Sequence, residues 1–276
     1  MTMIIKRLMT ACLILALTLT FAGCISLFGP DQPGSSGSSK KTAKRSLSAE
    51  NEAKVRSLTN LAAALLMEGE HTKALNELLK AKEIDPNNAD IENYLGLSYY
   101  GMKQYGLAAE SYTKALSLAP GRTDIHNNMG LVYLAQSNYD KALEEFNICV
   151  ADLSYQKKHL PLSNIGLVYL QMGRYDEALA SLQKATDATP TYGKAYQLAG
   201  RVYLAQNQVS QAIDYLNNGA KLDPTDPETF MVLGDAYVRA NKPQEAAEAY
   251  SRVGTLAPNS TIALEAQRRA RQAMGF

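Results

Sequence analysis

The sequence predicts an all-α protein: a right-handed solenoid of six helix–turn–helix repeats followed by a C-terminal capping helix. Three series of residues predict it. Small residues recur at Ala62, Gly96, Gly130, Gly166, Gly200 and Gly234, separated by 34, 34, 36, 34 and 34 residues. Alanines repeat the same spacing at Ala74, Ala108, Ala142, Ala178, Ala212 and Ala246. A third series is leucine or tyrosine: Leu65, Tyr99, Tyr133, Tyr169, Tyr203 and Tyr237. Apolar spacing of three and four residues around these positions is that of amphipathic helices.

Each element has a local cause. The small residue at the eighth position of a repeat and the alanine at the twentieth are expected to face each other across a hairpin, so that the two backbones approach closely. A mid-helix glycine such as Gly166 costs about 1 kcal/mol relative to alanine. Overfilling a packed contact costs about 1–3 kcal/mol, so close packing outweighs propensity. The turn position holds Gly69, Lys103, Ser137, Gly173, Asn207 and Asn241; the glycines and asparagines suit a left-handed helix end, whereas lysine and serine do not. Prolines at Pro86, Pro120, Pro190, Pro224 and Pro258 close five units, since proline cannot continue a helix. In "DPTDPE", Asp226 is an N-cap with Pro227 at the first helical position.

A helix–turn–helix unit of this length and pattern resembles the tetratricopeptide (TPR) repeat. The six repeats are expected over residues 53–258, with a capping helix over 259–276. In the cap, Arg268 stands where glycine belongs, and Arg268, Arg269 and Arg271 suit a polar end to the stack or a peptide-binding face. Ten of the sixteen tyrosines fall on recurring positions, which assigns them to packing rather than to base stacking.

The N-terminus is different material. Lys6 and Arg7 precede an apolar run from Leu8 to Phe21, shorter than the roughly 20 residues that span a bilayer. A basic region before a short apolar one reads as an export signal over residues 1–23. It ends in Phe21-Ala22-Gly23-Cys24, which resembles the lipobox of bacterial lipoproteins and implies acylation at Cys24; the alternatives are an ordinary signal peptide or an uncleaved anchor. Residues 24–52 carry the lipidated cysteine and a Ser/Gly/Lys tether without a core. Its cluster of Lys40, Lys41, Lys44 and Arg45 is either solvated or weakly drawn to anionic lipid. Removal of the signal leaves 26 basic against 27 acidic side chains. Near-neutrality excludes a phosphate-tracking nucleic-acid binder. Cys149 would be the remaining free thiol; it occupies a position filled by Ala81, Ala115 and Ala185, so it reads as packing.

Catalysis requires converging groups. His71, His126 and His159 are scattered over separate units, no phosphate loop follows a strand, and no metal or cofactor site is expected. The chain reads as non-enzymatic. In TPR solenoids the first helices line a concave groove through recurring positions. The fifth, ninth and twelfth positions of repeats two to four give Asn93, Leu97, Tyr100, Asn127, Leu131, Leu134, Ser163, Leu167 and Leu170, an apolar stripe edged by amides and a hydroxyl that suits a protein segment. The alternative is that these side chains pack between adjacent helices.

The order of lipobox, tether and six repeats resembles the type IV pilus biogenesis lipoproteins of the PilF/PilW pilotin family. The segment "CVADLSYQKKHLPLSNIGLVYLQMGRYDEAL" carries the resemblance furthest, lacking the closing proline and holding two extra residues before an "N-x-G-L-V-x-L-Q-M" helix. The resemblance implies a scaffold anchored by lipid in the outer membrane, facing the periplasm, that helps the pilus secretin assemble or localise. Ile25 lacks the aspartate that retains lipoproteins at the inner membrane. The rival function is a general TPR lipoprotein adaptor for another envelope complex, such as polysaccharide export, cell-wall or outer-membrane assembly.

Overall fold

The computed structural model describes residues 47–275; the signal, Cys24 and most of the tether lie outside the described residues. Among the described residues there are thirteen α-helices and no strand. The first helices of the hairpins are α1 (Ala49–Met67), α3 (Ala89–Gly101), α5 (Thr123–Ala135), α7 (His159–Gln171), α9 (Gly193–Ala205) and α11 (Pro227–Arg239). Their second helices are α2 (His71–Ile84), α4 (Tyr105–Leu118), α6 (Tyr139–Ala151), α8 (Tyr175–Ala188), α10 (Val209–Leu222) and α12 (Pro243–Leu256), and α13 (Thr261–Ala273) follows them. Helix α1 starts within the stretch assigned to the tether because Ser48 caps it, accepting from the backbone N–H of Asn51 at 3.2 Å.

The chain divides into two compact units with a boundary between Glu145 and Phe146, inside α6. In the N-terminal unit, α1 pairs with α2 and α3 with α4; α2 then packs on α3, and α4 on α5. Its core runs from Val55 and Leu78 through Ile91, Leu95 and Tyr112 to Ile125 and Val132. In the C-terminal unit, α7–α8, α9–α10 and α11–α12 form hairpins that stack in chain order, with α13 against α12. One apolar cluster there centres on Leu182, Leu198 and Val202, another on Leu216 and Leu233, and a third joins Tyr250 and Val253 to Ala266 of α13.

Every hairpin turns through three residues, and all six middle residues have positive φ, including Lys103 (60°) and Ser137 (57°). The turn geometry imposes this. In the second hairpin, Gln104 N–H reaches back to Tyr99 C=O at 2.8 Å and Lys103 N–H to Tyr100 C=O at 2.9 Å, the paired bonds of a Schellman end. The same pair recurs at every turn, so the left-handed residue is required whatever its side chain.

Hairpins are joined by four residues, with proline second, except between α6 and α7, where seven residues, 152–158, intervene. Asp226 caps α11 as expected, accepting from Glu228 N–H and Thr229 N–H at 3.1 Å each.

The small eighth-position residue meets a second partner besides the alanine that the sequence suggested. A Cβ placed on Gly166 would lie 2.6 Å from Leu182 Cγ, and one on Gly200 would lie 2.5 Å from Leu216 Cγ. The side chain over the glycine therefore comes from the twenty-fourth position. Ala178 and Ala212 contribute their carbonyl oxygens, 3.3 Å away. Cys149 is fully buried, as packing requires. Tyr112 and Tyr250, 1% and 2% exposed, are core residues. At the hairpin turns, Lys141 sits 5.4 Å over the Tyr133 ring and Arg174 4.7 Å over Tyr169, so these aromatic faces are occupied from within.

Candidate interaction surface

The nine side chains of the predicted stripe separate into two groups. Asn93, Leu97, Asn127, Leu131 and Ser163 are buried. Tyr100 and Leu134 in the N-terminal unit, and Leu167 and Leu170 in the C-terminal unit, are half-buried and retain open surface. The fifth-position polar groups are buried because successive first helices pack directly on one another, α1 on α3, α3 on α5 and α7 on α9.

Their hydrogen bonds are internal. Asn128 Nδ2 donates to Asn93 Oδ1 at 3.1 Å, joining α5 to α3 through a buried amide pair. Ser163 Oγ lies 2.7 Å from the His159 carbonyl and 3.0 Å from that of Leu160, one turn back on its own helix. A buried polar group that lost such a partner would cost about 1–3 kcal/mol, so the Asn93–Asn128 pair holds α3 and α5 in register, while Ser163 is satisfied within α7. Tyr100 leans on Tyr105, with ring centroids 5.7 Å apart.

Charged pairs border these residues in both units. In the N-terminal unit, the Arg122 guanidinium bonds both Asp124 oxygens at 2.8 and 2.7 Å and reaches Asp90 of the preceding hairpin at 2.6 Å. The bonds to Asp124, then to Asp90, raise the Arg122 pKa against the opposing effect of burial. Glu92 is 1% exposed and sits between Lys82 at 2.9 Å and Lys114 at 2.6 Å.

In the C-terminal unit, Lys194 pairs with Glu228 at 2.5 Å. Burial works against ionisation of Glu228, but the charges of Lys194 and Arg201 prevail and lower its pKa. Arg239 donates to the Leu204 carbonyl at 2.7 Å, satisfying the end of α9. His159 contacts Thr189 Oγ1 through Nδ1 at 3.0 Å and leans on Tyr192; burial and then Lys157 lower its pKa.

These inter-repeat pairs were missed in the sequence, although a signal exists. Lys194 and Glu228, and likewise Asp235 and Arg269, are opposite charges exactly one period of 34 residues apart. Among the described residues no group of three His, Cys, Asp or Glu side chains is placed to hold a metal ion. No described helix is long and apolar enough to cross a membrane.

Models described as tetratricopeptide repeat match residues 89–122, 121–190, 169–231 and 228–260, and one described as TPR repeat matches 62–103. No curated protein matches the chain. Among solved structures, pilF of Pseudomonas aeruginosa is 22% identical with a TM-score of 0.61, over 79% of this chain and 99% of that one. PilW, described as a widely conserved type IV pilus biogenesis factor, is 20% identical with a TM-score of 0.65, over 77% of this chain and 98% of that one. The Cut9–Hcn1 tetramer of the APC/C is 19% identical with a TM-score of 0.66, over 81% of this chain and 44% of that one. At these identities the likeness is one of fold.

Proposed function

Because the chain belongs to the tetratricopeptide-repeat family, we propose that it is a protein-binding scaffold, lipid-anchored at Cys24 in the outer membrane, that helps assemble or localise the type IV pilus secretin. The observation that carries the pilotin reading is the α6–α7 junction. Seven residues without a closing proline stand there, where the other hairpin links have four, at the place where the PilF/PilW resemblance is most specific. The Phe21-Ala22-Gly23-Cys24 motif and the Ser/Gly/Lys segment that follows support the anchoring half.

The mechanism is positional. Acyl chains, at about 0.8 kcal/mol per buried CH₂, hold the protein at the bilayer. A flexible tether then keeps a bound secretin subunit at high effective concentration near that surface, which favours insertion and multimerisation without any chemical step. Recognition is assigned to the open first-helix residues of each unit taken by itself, Tyr100 and Leu134 in one and Leu167 and Leu170 in the other.

Deletion of the gene tests the proposal. Fewer secretin multimers and surface pili are expected, restored by the wild-type chain and not by Cys24→Ala. Normal secretin multimers and pili in the deletion strain rule it out. Recovery of a different envelope complex with the affinity-purified lipoprotein, without secretin, would favour the general adaptor.

A further inference from the structure

Two successive hairpins of the C-terminal unit differ at one informative place. In α9–α10, the ring of Tyr215 sits beside Tyr196 and Tyr203, with centroid separations of 6.2 and 4.9 Å. The next hairpin, α11–α12, carries Phe230 and Tyr237 at the positions of Tyr196 and Tyr203, but Ala249 at the position of Tyr215. A cleft of about 280 Å³ opens where the missing ring would lie, walled by Phe230, Leu233, Tyr237 and Ala249. Glu245, Glu248 and Arg252 complete its lining.

The lining of the cleft is aromatic and charged, with two carboxylates and one guanidinium. The Arg252 guanidinium lies 5.9 Å from the Phe230 ring centre, and Lys242 Nζ lies 6.0 Å from that of Tyr237. Each ring thus already has a cation near it. Glu245 reaches Lys242 only at 3.9 Å, which leaves its charge available to a cation closer by. The hairpin before shows what such a wall accepts: a phenol ring set at a tilt against two aromatic neighbours.

We propose that the α11–α12 cleft is a docking site for an aromatic side chain of a partner protein, tyrosine or phenylalanine, carried next to a lysine or arginine. The ring takes the place that Tyr215 fills one repeat earlier, and the adjoining cation meets Glu245 and Glu248. The inference is independent of which envelope complex supplies the partner.

Amide NMR of the full chain tests this with N-acetyl-tyrosyl-lysine amide. At roughly millimolar peptide, saturable shifts are expected at Phe230, Tyr237 and Ala249. The leucyl-lysine analogue should bind about fivefold more weakly. Ala249→Tyr should fill the cleft from within, abolish the shifts and leave the thermal midpoint unchanged or raised. Glu245→Gln with Glu248→Gln should weaken the tyrosyl-lysine peptide while sparing N-acetyl-tyrosine amide, which keeps the test decisive should Ala249→Tyr not fold. Absence of saturable shifts at these residues, equal binding of the leucyl peptide, undiminished binding to Ala249→Tyr, or no effect of the paired glutamine substitutions overturns the proposal.

Discussion

Leu182 lies directly over Gly166: a β-carbon built on the glycine would fall 2.6 Å from Leu182 Cγ. This contact explains a glycine in the middle of α7. Gly166→Ala would gain about 1 kcal/mol of helix propensity but forces Leu182, 1% exposed, to shift within a filled core. Overpacking of that kind costs about 1–3 kcal/mol, so a net loss of stability is expected in urea denaturation. Gly96→Ala should cost more, because the stiff Tyr112 ring covers that position. An increase in stability for Gly96→Ala would show that the ring yields.

The left-handed turns supply an opposite prediction. Lys103 and Ser137 adopt φ of 60° and 57°, which costs a residue with a β-carbon about 1–2 kcal/mol. Glycine removes that strain at an entropic cost of about 0.5–1 kcal/mol. Lys103→Gly and Ser137→Gly should each stabilise the protein by about 0.5–1 kcal/mol, seen as a higher urea midpoint with an unchanged slope. Asn207→Ala, at φ of 60°, should destabilise it.

Docking of α13 should depend on pH. Hydrogen bonds from Arg268 and then Arg269 hold the Glu265 carboxyl down to about 2, against an ordinary value of about 4.3. A depressed pKa in the folded state means stability that is present above the unfolded value and lost on acidification. The helix should therefore loosen as pH falls from about 4 towards 2. Arg269 also binds both Asp235 oxygens, at 2.6 and 2.7 Å, and the Tyr250 hydroxyl donates to Asp235 at 2.7 Å. Amide exchange across Thr261–Ala273 should rise in that window and the change should be blunted in Glu265→Gln. Uniform exchange from pH 5 to 2 would contradict it.

Partner binding should respond to the open residues of the stripe. Leu134→Asn and Leu170→Asn should weaken binding of the partner about tenfold, the order of effect for an interface side chain worth about 1.4 kcal/mol, with helical circular dichroism retained. Leu131→Glu is a poor probe, because Leu131 is 8% exposed and a buried unpaired carboxylate would cost folding itself. Undiminished binding by the Leu134 and Leu170 variants would move the site off the first-helix face.

Asn93 and Asn128 show where sequence reading stops. Asn93 is a fifth-position residue whose spacing places it on a recurring helical face, whereas Asn128, 35 residues on, stands one position out of that register. Which of them meets solvent was not readable, because burial depends on how closely the first helices of adjoining hairpins approach. The structure spends Asn93 on an internal amide pair and leaves Tyr100 open. Lys103 makes the converse point: its composition argued against a left-handed turn, yet the three-residue link imposes one.

The amino-acid sequence determined the hairpins, their number and their order, since helix period, small-residue spacing and closing prolines act over a few residues and recur in each unit. Tertiary structure alone decided which side chain covers each glycine, which polar groups are buried, and that Ala249 leaves a cleft where Tyr215 fills one. Those outcomes depend on contacts between residues far apart in the chain, whose joint geometry no single period encodes.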